Sequence, residues 1–306
     1  MKTAVAFIVY KRSVTTKRVF HEISKVKPQK LYLIADGPKN ISEIERCNEV
    51  RNYVENSINW DCDFNPVYSG INLGLAKRVK SGLDFVFKNE EKAIVLEDDT
   101  LPNNSFFTFC ETLLNYYEDK SNVCHIAGCN YFPSAFPSGI GADYLFTARP
   151  SVWGFATWRR AWQHMDLNMP TWNHHNKEAL LQEWCVSSKQ KNDIRKLFDQ
   201  HCMNSDPWAW SYAWTHSLWK NNSLSITPKN NLVTNIGFGP DATNTILAKS
   251  NSVGYPPCTE ISGRINHPLA IERDINYEIA FDQLERGTIT RRLKQRLKSF
   301  LGINSL

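Results

Sequence analysis

Residues 92–107 read KAIVLEDDTLPNNSFF, and the reading of this run decides the fold. Ala93–Leu96 is an apolar stretch of strand length that runs straight into Glu97, Asp98 and Asp99. A polar turn follows, and then the helical spacing of Phe106–Tyr117. Three adjacent carboxylates repel one another and are costly to desolvate, so folding alone gives no reason to end a strand with them.

Outward from this run, strand and helix alternate. Thr3–Tyr10 is an apolar run, Thr15–Val26 has helical spacing, and Lys30–Ala35 is a second apolar run closed by the Asp36-Gly37-Pro38 turn. Ile41–Ser57 reads as a helix and Phe64–Tyr68 as a third strand. A loop with Gly70 and Gly74 leads to a helix over Leu75–Lys88, and Val123–Ala127 is a further strand. These strands are apolar throughout rather than alternating, which predicts an α/β fold with a parallel sheet covered on both faces. Ligands in such sheets sit at the carboxyl ends of strands, where the acidic triplet and Asp36 both fall. Asp61 and Asp63 precede a strand instead and are expected at the far end of the sheet.

The chain has 306 residues, 42% hydrophobic and 22% charged, ordinary values for a folded protein with a substantial core. Six cations and no acids lie between Arg286 and Leu306, so the net charge of +5 leaves the rest of the chain at −1. A general nucleic-acid-binding surface is therefore not expected. The eight cysteines form no C-x-x-C pair and read as reduced thiols, which points to a cytoplasmic protein. No small-residue cleavage site follows the N-terminal MKTAVAFIVYKR, so it reads as a first strand rather than a signal peptide. Ser121–Ala142, the longest stretch free of Asp, Glu, Lys and Arg, is too polar to span a bilayer.

A carboxylate cluster facing a crevice suits a hard divalent cation, Mn²⁺ or Mg²⁺, which takes one or two carboxylates with substrate phosphates completing its shell. The structural alternative is a solvated helix N-terminus, because acids favour that end of the following helix. The first glycine is Gly37, so no G-x-G-x-x-G loop follows the first strand, and no G-x-x-x-x-G-K-[ST] occurs. Adjacent His174 and His175 cannot share a metal in a regular element, since their side chains diverge.

Seven segments resemble nucleotide-sugar-dependent glycosyltransferases of the GT-A fold, and most closely the N-acetylglucosaminyltransferase I type branch with related bacterial enzymes. They are VAFIVYKRS (5–13), LYLIADGP (31–38), SGINLGLAKRVKSGLDFVF (69–87), IVLEDD (94–99), WGFATWRRAW (153–162), DPWAWSYAW (206–214) and PKNNLVTNIGFGPDATN (228–244). The resemblance implies Asp99 as the metal ligand, Asp98 near the donor ribose and Glu97 near the donor sugar. It also implies Asp36 as acceptor for a base N–H, most naturally of uracil, and Arg12 as a nucleotide contact. Asn72, Lys77 and Arg78 are placed toward the donor. On the residues alone, Asp36 reads equally as a turn residue, Arg12 as a solvated charge, and Lys77 and Arg78 as charges decorating a helix.

Nine of the ten tryptophans fall between Trp153 and Trp219. Trp158 with Trp162, and Trp210 with Trp214, have the i, i+4 spacing of a helix face packed in a core. Trp153, Gly154 and Trp208 are the candidates for sugar contact, an indole offering a flat apolar face and a glycine close backbone approach. Inverting transfer needs a carboxylate base, for which the resemblance points to Asp206. Asp206-Pro207 is equally an N-cap followed by N1, and Asp166, Glu183 and Asp241 are the alternatives for the base.

Residues 1–285 are expected to form one domain, with 1–130 as the donor half and 131–285 as the acceptor half. Leu293, Leu297, Phe300 and Leu301 beneath the cations of 286–306 predict a basic amphipathic tail suited to an anionic membrane surface. The expected activity is metal-dependent, inverting transfer from a nucleotide-sugar, a UDP-sugar before others, to a glycan or lipid-linked acceptor in bacterial surface-polysaccharide synthesis. A sugar-phosphate nucleotidyltransferase and a non-catalytic carbohydrate-binding protein are the alternatives.

Overall fold

The computed structural model describes residues 1–172, 177–204, 209–237 and 256–300, with side chains as far as 287. Strand β1 (Ala4–Val9) is buried along its whole length and turns directly into α1 (Ser13–Val26), whose Val19, Phe20 and Ile23 are buried. Then come β2 (Lys30–Ala35), α2 (Ile44–Ser57), β3 (Asp63–Tyr68), α3 (Leu75–Asn89) and β4 (Lys92–Glu97). The alternation read from the sequence is reproduced to within a few residues at each boundary.

The chain continues through β5 (Thr100–Pro102), α4 (Asn104–Tyr116), β6 (Val123–Ala127), β7 (Tyr144–Thr147), β8 (Phe155–Trp158) and α5 (Arg159–Trp162). Helices α6 (Lys177–Trp184), α7 (Ser188–Met203) and α8 (Trp210–Lys220) precede β9 (Leu224–Pro228), β10 (Val233–Asn235) and α9 (Ile275–Phe300).

Eight strands form one sheet in the order β3-β2-β1-β4-β8-β6-β9-β7. All run parallel except β8 and β7, which are reversed against their neighbours. The fold is thus α/β, with a mostly parallel central sheet flanked by helices. From β1 the chain winds outward through β2 to β3 and then crosses back to place β4 on the other side of β1. That reversal opens a crevice beyond the carboxyl ends of β1 and β4, the usual ligand position in open α/β sheets. Asp63 pairs with Lys30 at the opposite end, so the Asp61–Asp63 pair does not reach this crevice.

Residues 1–130 and 131–285 share the sheet, because β4 pairs directly with β8. The tryptophan-rich half is core: Trp158, Trp162, Trp172, Trp184, Trp210, Trp214 and Trp219 are all buried. Five of these indoles have hydrogen-bond partners, among them Leu114 O for Trp158 at 3.1 Å, Asp84 for Trp162 at 2.9 Å and Asp199 for Trp172 at 2.8 Å. Helix α9 runs without a break across the boundary drawn at 285/286. The side chains of its basic apolar-faced end, Leu293 onward, lie outside the described residues, and no described helix is long and apolar enough to cross a membrane.

Candidate active site at the sheet switch point

Register brings the site together. Ile8 of β1 sits opposite Glu97 of β4, so the residues just past each strand, Arg12 and Asp98-Asp99, meet at the same edge. The Glu97 backbone N–H donates to Thr100 Oγ1 at 2.8 Å, and that hydroxyl donates back to Glu97 O at 3.0 Å, which fixes the turn carrying the acids. Strand β10 then pairs antiparallel with β5, and Ile236 N donates to Asp99 O at 2.8 Å. The two-stranded ribbon holds the acidic turn from its outer side.

Arg12 is the counter-cation of the cluster. Its guanidinium grips Asp98 through both Nε, at 3.3 Å, and Nη2, while Nη2 also lies 2.9 Å from Asp99 Oδ2. Burial works against the guanidinium charge, but Asp98 and Asp99 outweigh it and the net shift of its pKa is upward. Burial raises the Glu97 pKa, and the charges of Asp99 and Asp98 raise it further. For Asp98 burial also raises the value, against the opposing pull of Arg12. Three carboxylates against one guanidinium leave the cluster short of positive charge when fully ionised, a deficit that a divalent cation suits.

The donor set is all oxygen, as Mg²⁺ and Mn²⁺ require. No three His, Cys, Asp or Glu side chains are gathered as a cage among the described residues. The carboxylates fit a cation that takes part of its shell from substrate phosphates.

Beside the cluster lies a cleft of about 400 Å³, lined by Tyr10, Arg12, Asp36, Asn72, Arg78 and Glu97 among others. Asp36 spends its carboxylate on the loop opposite. Oδ1 accepts from Gly37 N and Leu73 N, both at 2.9 Å, and Oδ2 from Asn72 Nδ2 and Gly74 N, both at 3.1 Å. Those four donors fill its in-plane acceptor capacity, so Asp36 and Asn72 shape the cleft wall in this state. Arg78 is buried, donates to Val67 O, and lines the cleft, whereas its neighbour Lys77 is exposed and outside the lining.

Gly154 adopts a left-handed φ of +61°, and a Cβ there would fall 2.8 Å from Val233 and 3.2 Å from Leu96. Core side chains therefore occupy the space that a side chain at position 154 would need. Trp153 meets Tyr131 edge-on at 5.0 Å. Asp166 is exposed and accepts from Asn168 N in a local turn, and Glu183 is exposed on α6; neither lines this cleft. Asp206, Trp208, Asp241, His174 and His175 lie outside the described residues.

Two contributors, Glu43 and Gly237, escaped the sequence reading. Glu43 accepts from the Tyr10 hydroxyl, Lys11 Nζ and, at 3.0 Å, Lys39 N, clamping the cleft rim. The Lys11 ammonium and the Tyr10 hydroxyl hold the Glu43 carboxyl down at about 2. Gly237 closes the remaining side: a Cβ there would lie 2.1 Å from Asp99 Oδ2 and 2.7 Å from Arg12 Nη1. The only sequence signal for this contact was the glycine in NIGFG, which has no local turn requirement to mark it.

No family model matches the chain, and no curated protein matches it. Among solved structures it is similar to the mannosyltransferase PcManGT of Pyrobaculum calidifontis in complex with GDP-Man and Mn²⁺, at 12% identity, TM-score 0.40, covering 72% of this chain and 73% of that one. It is also similar to S. aureus TarS, at 12% identity, TM-score 0.40, covering 76% and 60%. A third likeness is the glycosyltransferase GlyE of Streptococcus pneumoniae, at 14% identity, TM-score 0.33, covering 74% and 45%. Nucleotidyltransferase-type structures are among the matches too, including a UDP-glucose pyrophosphorylase at TM-score 0.28.

Proposed function

We propose that the protein is a metal-dependent, inverting glycosyltransferase that moves a hexosyl or N-acetylhexosaminyl group from a nucleotide-sugar, a UDP-sugar before others, to a glycan or lipid-linked acceptor. The observation that carries the reading is an acidic cluster with one bound guanidinium at the sheet switch point, beside a cleft large enough for part of a nucleotide. Bound at Asp99, a divalent ion would supply charge stabilisation to the departing diphosphate. Asp98 and Glu97 would orient the donor ribose and sugar by accepting hydrogen bonds from their hydroxyl groups. Arg12 would turn from the carboxylates toward the nucleotide. Asp206 is proposed as the base that takes the acceptor hydroxyl proton, a role that needs hydrogen-bond reach.

The reading extends to a place in surface-polysaccharide synthesis at the inner face of a bacterial membrane, through the six cations of 286–306. Charge reversal at Arg291, Arg292 and Lys294 should then release the protein from anionic vesicles; retained binding would remove that part. The nucleotidyltransferase alternative lacks support at the turn after β1, where Tyr10-Lys11-Arg12 stands in place of a glycine-rich loop.

Thermal unfolding with UDP, GDP or CMP, each with and without Mn²⁺, tests the proposal. One nucleotide should stabilise the protein only when the metal is present, and Asp99→Ala should abolish the effect. Stabilisation by none of them would sink it.

A further inference from the structure

A second cavity, of about 770 Å³, shares no lining residue with the cleft beside the acidic cluster. That volume lies within the roughly 300–1,000 Å³ of ordinary small-ligand pockets. Helix α7 turns one face to it through Lys189, Asp193, Lys196 and Gln200, spaced at i, i+4, i+7 and i+11. The first turns of α8, residues 149–152 and helix α9 supply the other walls.

The charges of this lining are largely spent on one another. Arg149 pairs with Glu285 at 2.7 Å, Arg286 with Asp282 at 2.7 Å and Lys189 with Asp193 at 3.1 Å, which leaves Lys196. What the cavity offers a ligand is therefore ring surface and hydrogen bonds. Two half-buried tyrosines line it, each fixed by an aromatic neighbour: Tyr131 meets Trp153 at 5.0 Å and 86°, and Tyr212 meets His201 at 6.3 Å and 79°. Among the described residues, the side chains of Lys196, Gln200 and Ser211 have no protein partner, so they are free to bond a ligand. A hydrocarbon chain in this space would strip water from those three groups and return no hydrogen bond. A pyranose ring sets an apolar C–H face against an aromatic plane and carries hydroxyls that both donate and accept, which matches the mixture.

We propose that this cavity holds a sugar ring of the acceptor, recognised by its face and hydroxyls rather than by an anionic group or a lipid tail. Its assignment to the acceptor rests on the transferase reading. Ser211 and Tyr212 follow closely in the chain on Asp206, the proposed base. Residues 149–152 run directly into Trp153-Gly154, and Gly154 backs onto Leu96, which precedes the acidic cluster.

The test titrates the full chain, without nucleotide or metal, with the methyl glycosides of glucose, galactose, mannose and N-acetylglucosamine by saturation-transfer NMR. At least one should bind. The octyl glycoside of the tightest binder, kept below its micelle concentration, puts a sugar and a hydrocarbon chain in one probe, and its ring protons should receive more saturation than its chain. Tyr212→Ala should weaken the binding about tenfold. Should that variant fail to fold, Lys196→Ala with Gln200→Ala, both exposed on α7, decides, with a several-fold loss expected. Binding by none of the glycosides, saturation confined to the octyl chain, or undiminished binding by the folded variant would overturn the proposal. Absence of metal-dependent nucleotide stabilisation in the unsubstituted protein would instead overturn the transferase reading, because the glycoside titration does not depend on it.

Discussion

At the scale of single residues, Arg12 and a divalent cation want the same oxygens. Arg12 Nη2 already bridges Asp98 and Asp99, and two cations cannot share those atoms without repulsion. On the proposed reading, metal binding to the free protein has to displace the guanidinium, and a nucleotide diphosphate would offer it a new partner. Arg12→Gln should raise Mn²⁺ affinity in the absence of nucleotide by about tenfold, about 1.4 kcal/mol. The same substitution should shrink the gain in affinity that nucleotide brings. Electron paramagnetic titration of free Mn²⁺ checks both; unchanged affinity in the variant would show that Arg12 does not compete. Gly237 is the second pressure point. A methyl group placed 2.1 Å from Asp99 Oδ2 and 2.7 Å from Asp99 Cβ must push the cluster or the β10 end aside. Gly237→Ala should cost about 1–3 kcal/mol of stability by overpacking, read by denaturant unfolding, and should weaken metal-dependent nucleotide binding. Wild-type values for both would mean that the segment yields freely.

At the scale of elements, the buried carboxylate of Glu278 is one of the ties between α9 and the body. Glu278 accepts from Ala148 N at 2.6 Å and from Arg273 Nε and Nη2 at 3.2 and 2.6 Å, while Asp274 N donates to Phe146 O at 2.9 Å. Removing one partner of such a buried pair leaves the other charge uncompensated, so Glu278→Ala should cost about 3 kcal/mol and expose α9 to limited proteolysis. Resistance equal to that of the parent would place the anchor elsewhere, in Tyr277 and Phe281. The parallel strands and their helices were legible because the strands include continuous apolar runs, as in Ala4–Val9, and the helices carry an apolar period, as in Leu75–Asn89. Strands β5 and β10 were not, since three residues each give no period and Thr100-Leu101-Pro102 reads as a turn. Their pairing is a tertiary event, and it carries Gly237 to Asp99.

For the whole molecule, the sequence located the crevice but not its electrical balance. A strand-end triplet and Arg12 were each visible, yet only the β1–β4 register shows that Arg12 pairs with Asp98 and Asp99. The same holds for His125, which as a strand residue carried no signal. Its ring is fully buried beside Phe155 at 5.1 Å, Nδ1 accepts from Trp214 Nε1 at 3.1 Å, and Nε2 faces Ser151 O at 3.0 Å. Accepting the indole N–H leaves no room for a proton on Nδ1, and burial pushes the pKa down to about 4. The unfolded chain takes up that proton first, near pH 6.5, so the stabilisation is complete above pH 6.5 and is lost as pH falls toward 4. The total is about 3 kcal/mol, at about 1.4 kcal/mol per pH unit. Glu97 and Asp98, with raised values, bind protons first in the folded state and push the other way, so only a difference isolates the histidine. Unfolding free energies of the parent and His125→Gln, measured from pH 7.5 to 4.5, should differ by a constant packing offset above pH 6.5. Below it the parent should lose stability more steeply by one proton's worth. Parallel curves across the whole range would show that His125 titrates alike in both states and that the Trp214 hydrogen bond does not hold it neutral.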